Sequence, residues 1–265
     1  MIKAPDVIMG SGQFVGVNHL SHEKGDSRAN KFKNIDNVLE LISFAKEIGF
    51  NGIMFSTHPH SIEIVKQIGN DKNLNDSLSI YPNLPYIQKY VTGANEMGMI
   101  GFLYDMIKQG NTKSLIKASK GVITKNIFSI IKSLIDIELN SFKNVKMGSV
   151  FLHNVLTDII VSLELDELLH LYIDYIEDNY KVKAGFVTLN FPKLSSYFSM
   201  KNIRNPLIQT PINKIGFQMN PNIESNIKTL NNFDGEIIAM STLAAGYLHP
   251  SEAYNFISKL NNINS

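Results

Sequence analysis

The stretch Ala184-Gly185-Phe186-Val187-Thr188-Leu189-Asn190-Phe191 begins as a continuous apolar run and ends in polar residues, just before a helix-like pattern near 193–202. Two later runs have the same form: Ile215-Gly216-Phe217-Gln218-Met219-Asn220-Pro221 and Ile237-Ile238-Ala239-Met240-Ser241-Thr242-Leu243-Ala244-Ala245-Gly246. An apolar run without alternation is expected of a strand covered on both faces, as in a parallel sheet under helices. With a second helix-like segment near 222–231, the three runs predict βα units wound in right-handed crossovers.

The same alternation extends toward the N-terminus. Strand patterns fall at Val7–Met9, Phe14–Val17, Gly52–Phe55, Leu78–Tyr81 (ended by Pro82) and Met147–Leu152. A helix capped by Asp36 carries Val38, Leu41, Ile42, Ala45 and Ile48 at helical spacing, with Gly49 as its C′ residue. Further helices are expected from about Ser61, from Pro85 to Gly98, over Leu163–Asn179 and from about Ser251. Helical patterns dominate 99–145, where Ile127, Ile130, Ile131, Leu134 and Ile135 form one face. The polar stretch His22–Asn34 reads as a loop. With Gly52–Phe55 as the second buried strand, seven barrel strands can be read; the eighth is either Gly121–Thr124 or a strand just beyond Ser265. The expected fold is α/β: a single (β/α)8 TIM-type barrel over residues 1–265, with one irregular or incomplete strand.

Composition narrows the function classes. A chain of 265 residues with 44% hydrophobic residues can bury a large core. Its net charge of +1 offers no bulk attraction for nucleic acid or anionic membrane. The absence of Cys excludes disulfides, thiolate metal ligands and a cysteine nucleophile. Residues 1–9 lack the apolar core of a signal peptide, and no apolar run approaches the roughly 18 residues of a membrane span. The expected setting is cytoplasmic and the expected partner a small molecule, with the oligomeric state open.

In a parallel barrel, side chains at the carboxyl ends of the strands line one mouth. Here these are Asn18, His19, His58, His60, Asn83, His153, Asn154, Asn190, Gln218, Asn220, Ser241 and Thr242. Four of the chain's seven His fall at three of these ends. An imidazole titrates near neutrality, so His153 is a candidate general acid or carbonyl electrophile, with His19, His58 and His60 closing the pocket. His58-Pro59-His60 also admits a shared metal ion, because imidazoles two apart on an extended segment face the same way. Asn190 and Gln218 suit a carboxamide, a sugar hydroxyl or a carboxylate, or satisfy strand-end backbone groups. Asp158 either orients His153 or is an ordinary carboxylate near a helix start.

The second half resembles the aldo-keto reductase family. Val150-Phe151-Leu152-His153 is similar to its fourth strand with a catalytic His, and Gly185-Phe186-Val187-Thr188-Leu189-Asn190-Phe191 to its fifth-strand Gly-x-Ser-Asn-Phe signature. Gln218-Met219-Asn220-Pro221 is similar to its sixth-strand Gln and following Asn-Pro. Ala239-Met240-Ser241-Thr242-Leu243-Ala244-Ala245-Gly246 is similar to its Ala-Tyr-Ser-Pro-Leu-x-x-Gly seventh strand. The resemblance covers about 148–250. It implies an NAD(P) nicotinamide pocket at Asn190, Gln218 and Ser241, with His153 polarising a carbonyl. It also implies a proton-donating Tyr with a partner Asp after the second strand and a Lys after the third. Those places read Phe55-Ser56-Thr57-His58-Pro59-His60 and Tyr81-Pro82-Asn83, without Tyr, Asp or Lys in the required positions. The expected function is therefore acid–base or redox chemistry on a carbonyl-type substrate by rebuilt machinery. A metal-dependent hydrolase or lyase using the His cluster, and a non-catalytic barrel that binds a ligand or partner, stand as alternatives.

Overall fold

The structure, a computed structural model, describes residues 7–16, 22–89 and 127–265. Seven strands form one sheet in chain order, and every neighbouring pair is parallel. They are β1 (Ile8–Gly10), β2 (Gly52–Ser56), β3 (Ser79–Leu84), β4 (Ser149–Leu152), β5 (Lys183–Val187), β6 (Leu207–Pro211) and β7 (Glu236–Met240). The helices around them are α1 (His22–Lys31), α2 (Ile35–Glu47), α3 (Pro59–Asn70), α4 (Lys72–Ser77), α5 (Ile127–Leu139), α6 (Asn154–Ser162), α7 (Asp166–Tyr180), α8 (Phe191–Met200), α9 (Ile223–Asn231) and α10 (Pro250–Ile257). Sequential parallel strands with helical crossovers are the winding of a TIM-type barrel, here with seven strands among the described residues. Asn264 and Ser265 lie along the edge of β7 away from β6: the Ser265 carbonyl accepts from Ala239 N–H at 2.8 Å, and Asn264 N–H donates to the Ile237 carbonyl at 2.9 Å. The expected Gly121–Thr124 strand lies outside the described residues. No helix among the described residues is long and apolar enough to cross a membrane.

Side-chain parity separates two cores. Met54, Tyr81, Phe151, Val187, Leu207 and Ile238 alternate onto one face and cluster inside the curl of the sheet. The opposite parity, with Phe55, Ile80, Val150, Phe186 and Ile208, packs under the helices in the larger core. There Phe186 meets Phe198 edge to face at 4.9 Å, and burying each ring is worth about 1.5–3 kcal/mol. Two glycines make room inside the curl. A Cβ on Gly185 would stand 2.5 Å from the Phe151 ring, and one on Gly148 would stand 2.5 Å from the Tyr81 ring.

Four expectations are corrected. Pro82 does not end the third strand, which runs on to Leu84. Alternate residues of β3 face β4: Ile80 N–H donates to the Lys146 carbonyl at 2.8 Å, and the Leu84 carbonyl accepts from His153 N–H at 2.8 Å. Ile80 pairs with Met147 but Leu84 with Leu152, so the β4 side carries one extra residue between them. Pro82, which has no N–H to give, sits opposite this bulge, where a ladder tolerates proline. Second, the sixth strand is Leu207–Pro211, and the run Ile215–Pro221 is the loop after it. That loop is folded around Asn213, whose carboxamide accepts from Phe217 N–H and donates to the Phe217 carbonyl, both at 2.8 Å. Apolar residues there pack on the loop after β7, with Phe217 against Ala244 and Leu248. Third, Gly12–Val15 is a 3-10 turn and no strand follows β1 directly. Fourth, His22–Lys31 is a helix: Glu, Lys, Arg and Ala favour one without an apolar stripe. Gly16, at φ 75°, lets the 3-10 turn approach α1 closely, since a Cβ there would meet Ala29 Cβ at 3.0 Å.

Candidate functional site at the carboxyl ends of the strands

Strands β2 and β4 each hand the chain to a helix through a histidine. His58 follows β2 in extended conformation, and its Nδ1 accepts from His60 N–H at 3.1 Å, capping α3 with Pro59 in the first turn. His153 follows β4 in the same conformation, and its Nδ1 accepts from Val155 N–H at 3.3 Å, capping α6. A capping acceptor must be unprotonated, so each ring carries its proton on Nε2. Burial pushes the His153 imidazole below its ordinary pKa. Burial does the same to His58, with nearby His60 adding to the effect. Both rings are therefore neutral donors near neutral pH. Of the two roles expected for His153, this state suits the carbonyl electrophile, because its Nδ1 is committed to the helix it starts.

Strand parity then places the inner residues. Ser56, Asn83 and Phe151 are in register on β2, β3 and β4. His58 and His153 each lie two residues beyond an inner position and continue that face. The Asn83 Oδ1 is buried and has no hydrogen-bond partner among the described residues. Thr57, of opposite parity, ties the two ends together by accepting from Tyr86 N–H at 2.9 Å, and the Tyr86 ring meets His58 edge to face at 4.9 Å. His60 does not join this group. Its Nε2 is 2.8 Å from the Phe32 carbonyl, which directs the ring toward the end of α1. The shared metal ion suggested by His58-Pro59-His60 is thus not supported by geometry, and among the described residues no three His, Asp or Glu side chains converge to hold a metal. His19 and Asn18 lie outside the described residues.

On the other side of the mouth the inner amide is Gln209, in register with Val187 on β5 and Ile238 on β7. Sequence reasoning missed it because the sixth strand was sought eight residues too late, at Ile215. The usable signal was Leu207-Ile208-Gln209-Thr210 between two prolines, a short buried-strand run after the helix that ends near 200. Gln218 and Ser241 do meet: the Ser241 hydroxyl donates to Gln218 Oε1 at 3.4 Å, and both residues hold left-handed backbone, φ 60° and 52°. Asn190 is different. Its Oδ1 caps α8 by accepting from Lys193 N–H at 3.2 Å, and its own N–H donates to Thr188 Oγ1 at 2.9 Å.

Asp158 neither orients His153 nor caps a helix. It lies on α6, accepts the Thr188 hydroxyl at 2.6 Å and the Leu189 N–H at 3.4 Å, and so pins the end of β5 to the helix that His153 begins. Burial raises its pKa, opposed by these two hydrogen bonds and by Lys193. The Leu189 carbonyl in turn accepts from Asn220 N–H at 3.1 Å, which fastens the loop after β6 to the same point.

A nicotinamide carboxamide needs a donor and an acceptor at each amide that would hold it. Asn190 has its acceptor committed to α8, and Gln218 sits on a loop beyond β6, held to Ser241. Of the three residues that the resemblance implies, Gln218 and Ser241 meet, and Asn190 caps α8.

No family model matches the chain, and no curated protein matches it. Among solved structures the chain is similar to MGS-M4, an aldo-keto reductase enzyme from a Medee basin deep-sea metagenome library, at 12% sequence identity and a TM-score of 0.47. The match covers 81% of this chain and 62% of that one, so the chain spans less than two thirds of that protein's length. The barrel architecture of this chain rests on its own strand order and register.

Proposed function

We propose that the chain is a small-molecule enzyme whose pocket is the barrel mouth and whose substrate carries a carbonyl group, activated by a hydrogen bond from neutral His153. One observation carries this reading. The Nδ1 of His153 accepts from Val155 N–H, and burial disfavours the charged ring, so the remaining proton is offered from Nε2 at the end of β4. A fixed neutral donor beside a carbonyl oxygen stabilises the negative charge that develops there during enolisation or addition. His58, held in the same tautomer two strands away, supplies a second donor of the same kind. No step is assigned to a nicotinamide cofactor.

A second reading, a barrel that binds without chemistry, draws on a different observation. Among the three residues after each described strand there is no Asp or Glu. One experiment addresses both readings. The protein is incubated in heavy water with a panel of aldehydes, ketones and hydroxy acids, and exchange alpha to the carbonyl and turnover are followed by proton NMR, for the native chain and for His153→Gln. The enzyme reading expects exchange or turnover that falls by about 10²-fold or more in the variant. Equal activity in both proteins removes His153 from the chemistry, and binding without exchange by either supports the binding barrel.

A further inference from the structure

We infer that Asp158 is a positioning residue of the mouth, a conclusion that rests on reading the mouth as the pocket: its carboxylate fixes the wall that His153 begins against the wall that carries Gln218. Its hydrogen bonds go to Thr188 and Leu189 and none to the His153 ring, so it acts through the backbone. The start of α6 is held by two consecutive side chains. Thr157, buried, donates its hydroxyl to the Leu152 carbonyl at 3.1 Å and its N–H to the His153 carbonyl at 3.0 Å, which fastens α6 to its own strand. Asp158 fastens it to the next strand, through the Thr188 hydroxyl at 2.6 Å and the Leu189 N–H at 3.4 Å. The bonds continue from there. Thr188 N–H donates to the Gln209 carbonyl at 3.0 Å, and the Leu189 carbonyl accepts from Asn220 N–H at 3.1 Å. Asn220 is two residues beyond Gln218, whose Oε1 accepts the Ser241 hydroxyl at 3.4 Å. One carboxylate thus links the segments that follow β4, β5, β6 and β7.

Among the described residues, only one other side chain of α6 bonds beyond the helix and its own strand. That is Ser162, with Lys193 Nζ at 3.1 Å, and the contact is exposed. A carboxylate suits the Asp158 junction for a chemical reason. It accepts through both oxygens and donates nothing, so it takes a hydroxyl and a backbone N–H together. An amide would turn its own N–H groups toward one of the two donors. Burial raises the Asp158 pKa, opposed first by the Thr188 hydroxyl, then by Leu189 N–H and Lys193. A half-buried charge is costly, and an apolar contact between α6 and β5 would often be as stable. What the carboxylate adds is direction, because hydrogen bonds fix distance and angle. Direction matters further along the same chain of bonds. Gln218 and Ser241 both hold left-handed backbone, φ 60° and 52°, a conformation that persists only where its surroundings fix it. The Asn220 bond supplies one such fixed point, and a misplacement of about 1 Å at a reacting group can cost about a hundredfold in rate.

The test compares the isotope-labelled native chain with Asp158→Asn, Thr188→Val, their double variant and Thr188→Ser by NMR, without any ligand. It reads the Gln218 side-chain amide signal and the hydrogen exchange of Asn220 N–H. Tyr175→Phe is the control: it removes a 2.7 Å hydroxyl donor to Asp136, between α5 and α7, and so loosens the fold without touching these bonds. The inference expects Asp158→Asn and Thr188→Val to shift the Gln218 signal in the same direction and to speed Asn220 exchange about tenfold. The double variant should add little to either single one, because both break one link. Thr188→Ser, which keeps the hydroxyl, and Tyr175→Phe should leave the Gln218 signal native. In the carbonyl exchange assay, any compound that the native chain turns over should show kcat lowered about tenfold or more by Asp158→Asn, with KM within about twofold. The inference is overturned if Asp158→Asn leaves the Gln218 and Asn220 signals native, if Tyr175→Phe moves them equally, or if Asp158→Asn keeps native turnover. If those signals move as expected while no protein shows exchange or turnover, Asp158 positions the mouth and the carbonyl reading of His153 falls.

Discussion

Acidification should weaken this fold through His153, and the size of the effect follows from the cap. In the folded chain, Nδ1 accepts from Val155 N–H at 3.3 Å, so protonation both removes the acceptor and adds a cation at a helix N-terminus, where the macrodipole repels it. Burial lowers the folded pKa below the ordinary value of 6.5. The unfolded chain therefore binds more protons once pH drops below that value. The cap's contribution is fully present above pH 6.5 and is lost as pH falls through the folded pKa. Linkage limits the loss to about 1.4 kcal/mol for each pH unit below the unfolded pKa, and a cap of this kind is worth about 1 kcal/mol. His58 acts with the same sign; its more exposed position calls for a smaller share. Urea unfolding at neutral pH and one unit below pH 6.5 would measure the slope for the native chain, His153→Asn and His153→Ala. Asn keeps a capping oxygen without titrating, so His153→Asn should be near native at neutral pH and should lose about 1 kcal/mol less on acidification. His153→Ala should start about 1 kcal/mol lower and show the same flattened response. If His153→Asn keeps the native pH slope, the neutral-cap account of this histidine is wrong.

Gly185→Ala should cost at least about 1–3 kcal/mol in thermal or urea unfolding, because its Cβ would stand 2.5 Å from the Phe151 ring; adding Phe151→Leu should recover part of that loss. Thr188→Val should cost about 1.5–3 kcal/mol, since it takes the 2.6 Å hydroxyl donor from half-buried Asp158, whereas Thr188→Ser should be mild. Gln218→Gly should raise stability by up to about 1 kcal/mol by relieving left-handed backbone at φ 60°. The same change should weaken any ligand that uses the rim amide, so a stabilised variant with undiminished affinity would remove Gln218 from the site. Glu236→Gln should lower the Tyr81 titration midpoint from about 12, as that carboxylate is the second cause, after burial, of its elevation. Carbon NMR of the tyrosine rings reads this directly, and an unmoved midpoint would contradict the placement of Glu236 near the Tyr81 ring.

Much of the architecture could be read before any coordinates. Apolar runs at Gly52–Phe55 and at the starts of Ala184–Phe191 and Ile237–Gly246 announced the strands found at Gly52–Ser56, Lys183–Val187 and Glu236–Met240, and the strand order follows from short right-handed crossovers. The helix expected from Asp36 is capped instead by Asn34, whose Oδ1 accepts from Asp36 N–H at 3.0 Å; its buried stripe is Val38, Ile42 and Ala45, as its 3.6-residue period required, while Ile48 at its end is exposed. The misread elements are those where two local patterns compete. Ile215–Pro221 has the apolar content of a strand, yet Leu207–Pro211 holds the place beside β5 and β7. Pro82 reads as a terminator unless its missing N–H is known to face a bulge.

For the candidate site the division is sharper. Sequence by itself determined that histidines, amides and hydroxyls end the strands and that acidic groups do not follow them. Those are properties of local order along the chain. Which face each residue takes, and what its second polar atom already holds, belonged to the tertiary structure. Side-chain parity turns on where a strand begins, and a shift of one residue exchanges the barrel interior for the helical layer. Thus Asn190 caps α8, His60 reaches the Phe32 carbonyl, and Gln209, unremarked in the sequence, faces the mouth. The proton on His153 was decided the same way, by a backbone N–H two residues along that is available only because α6 begins there.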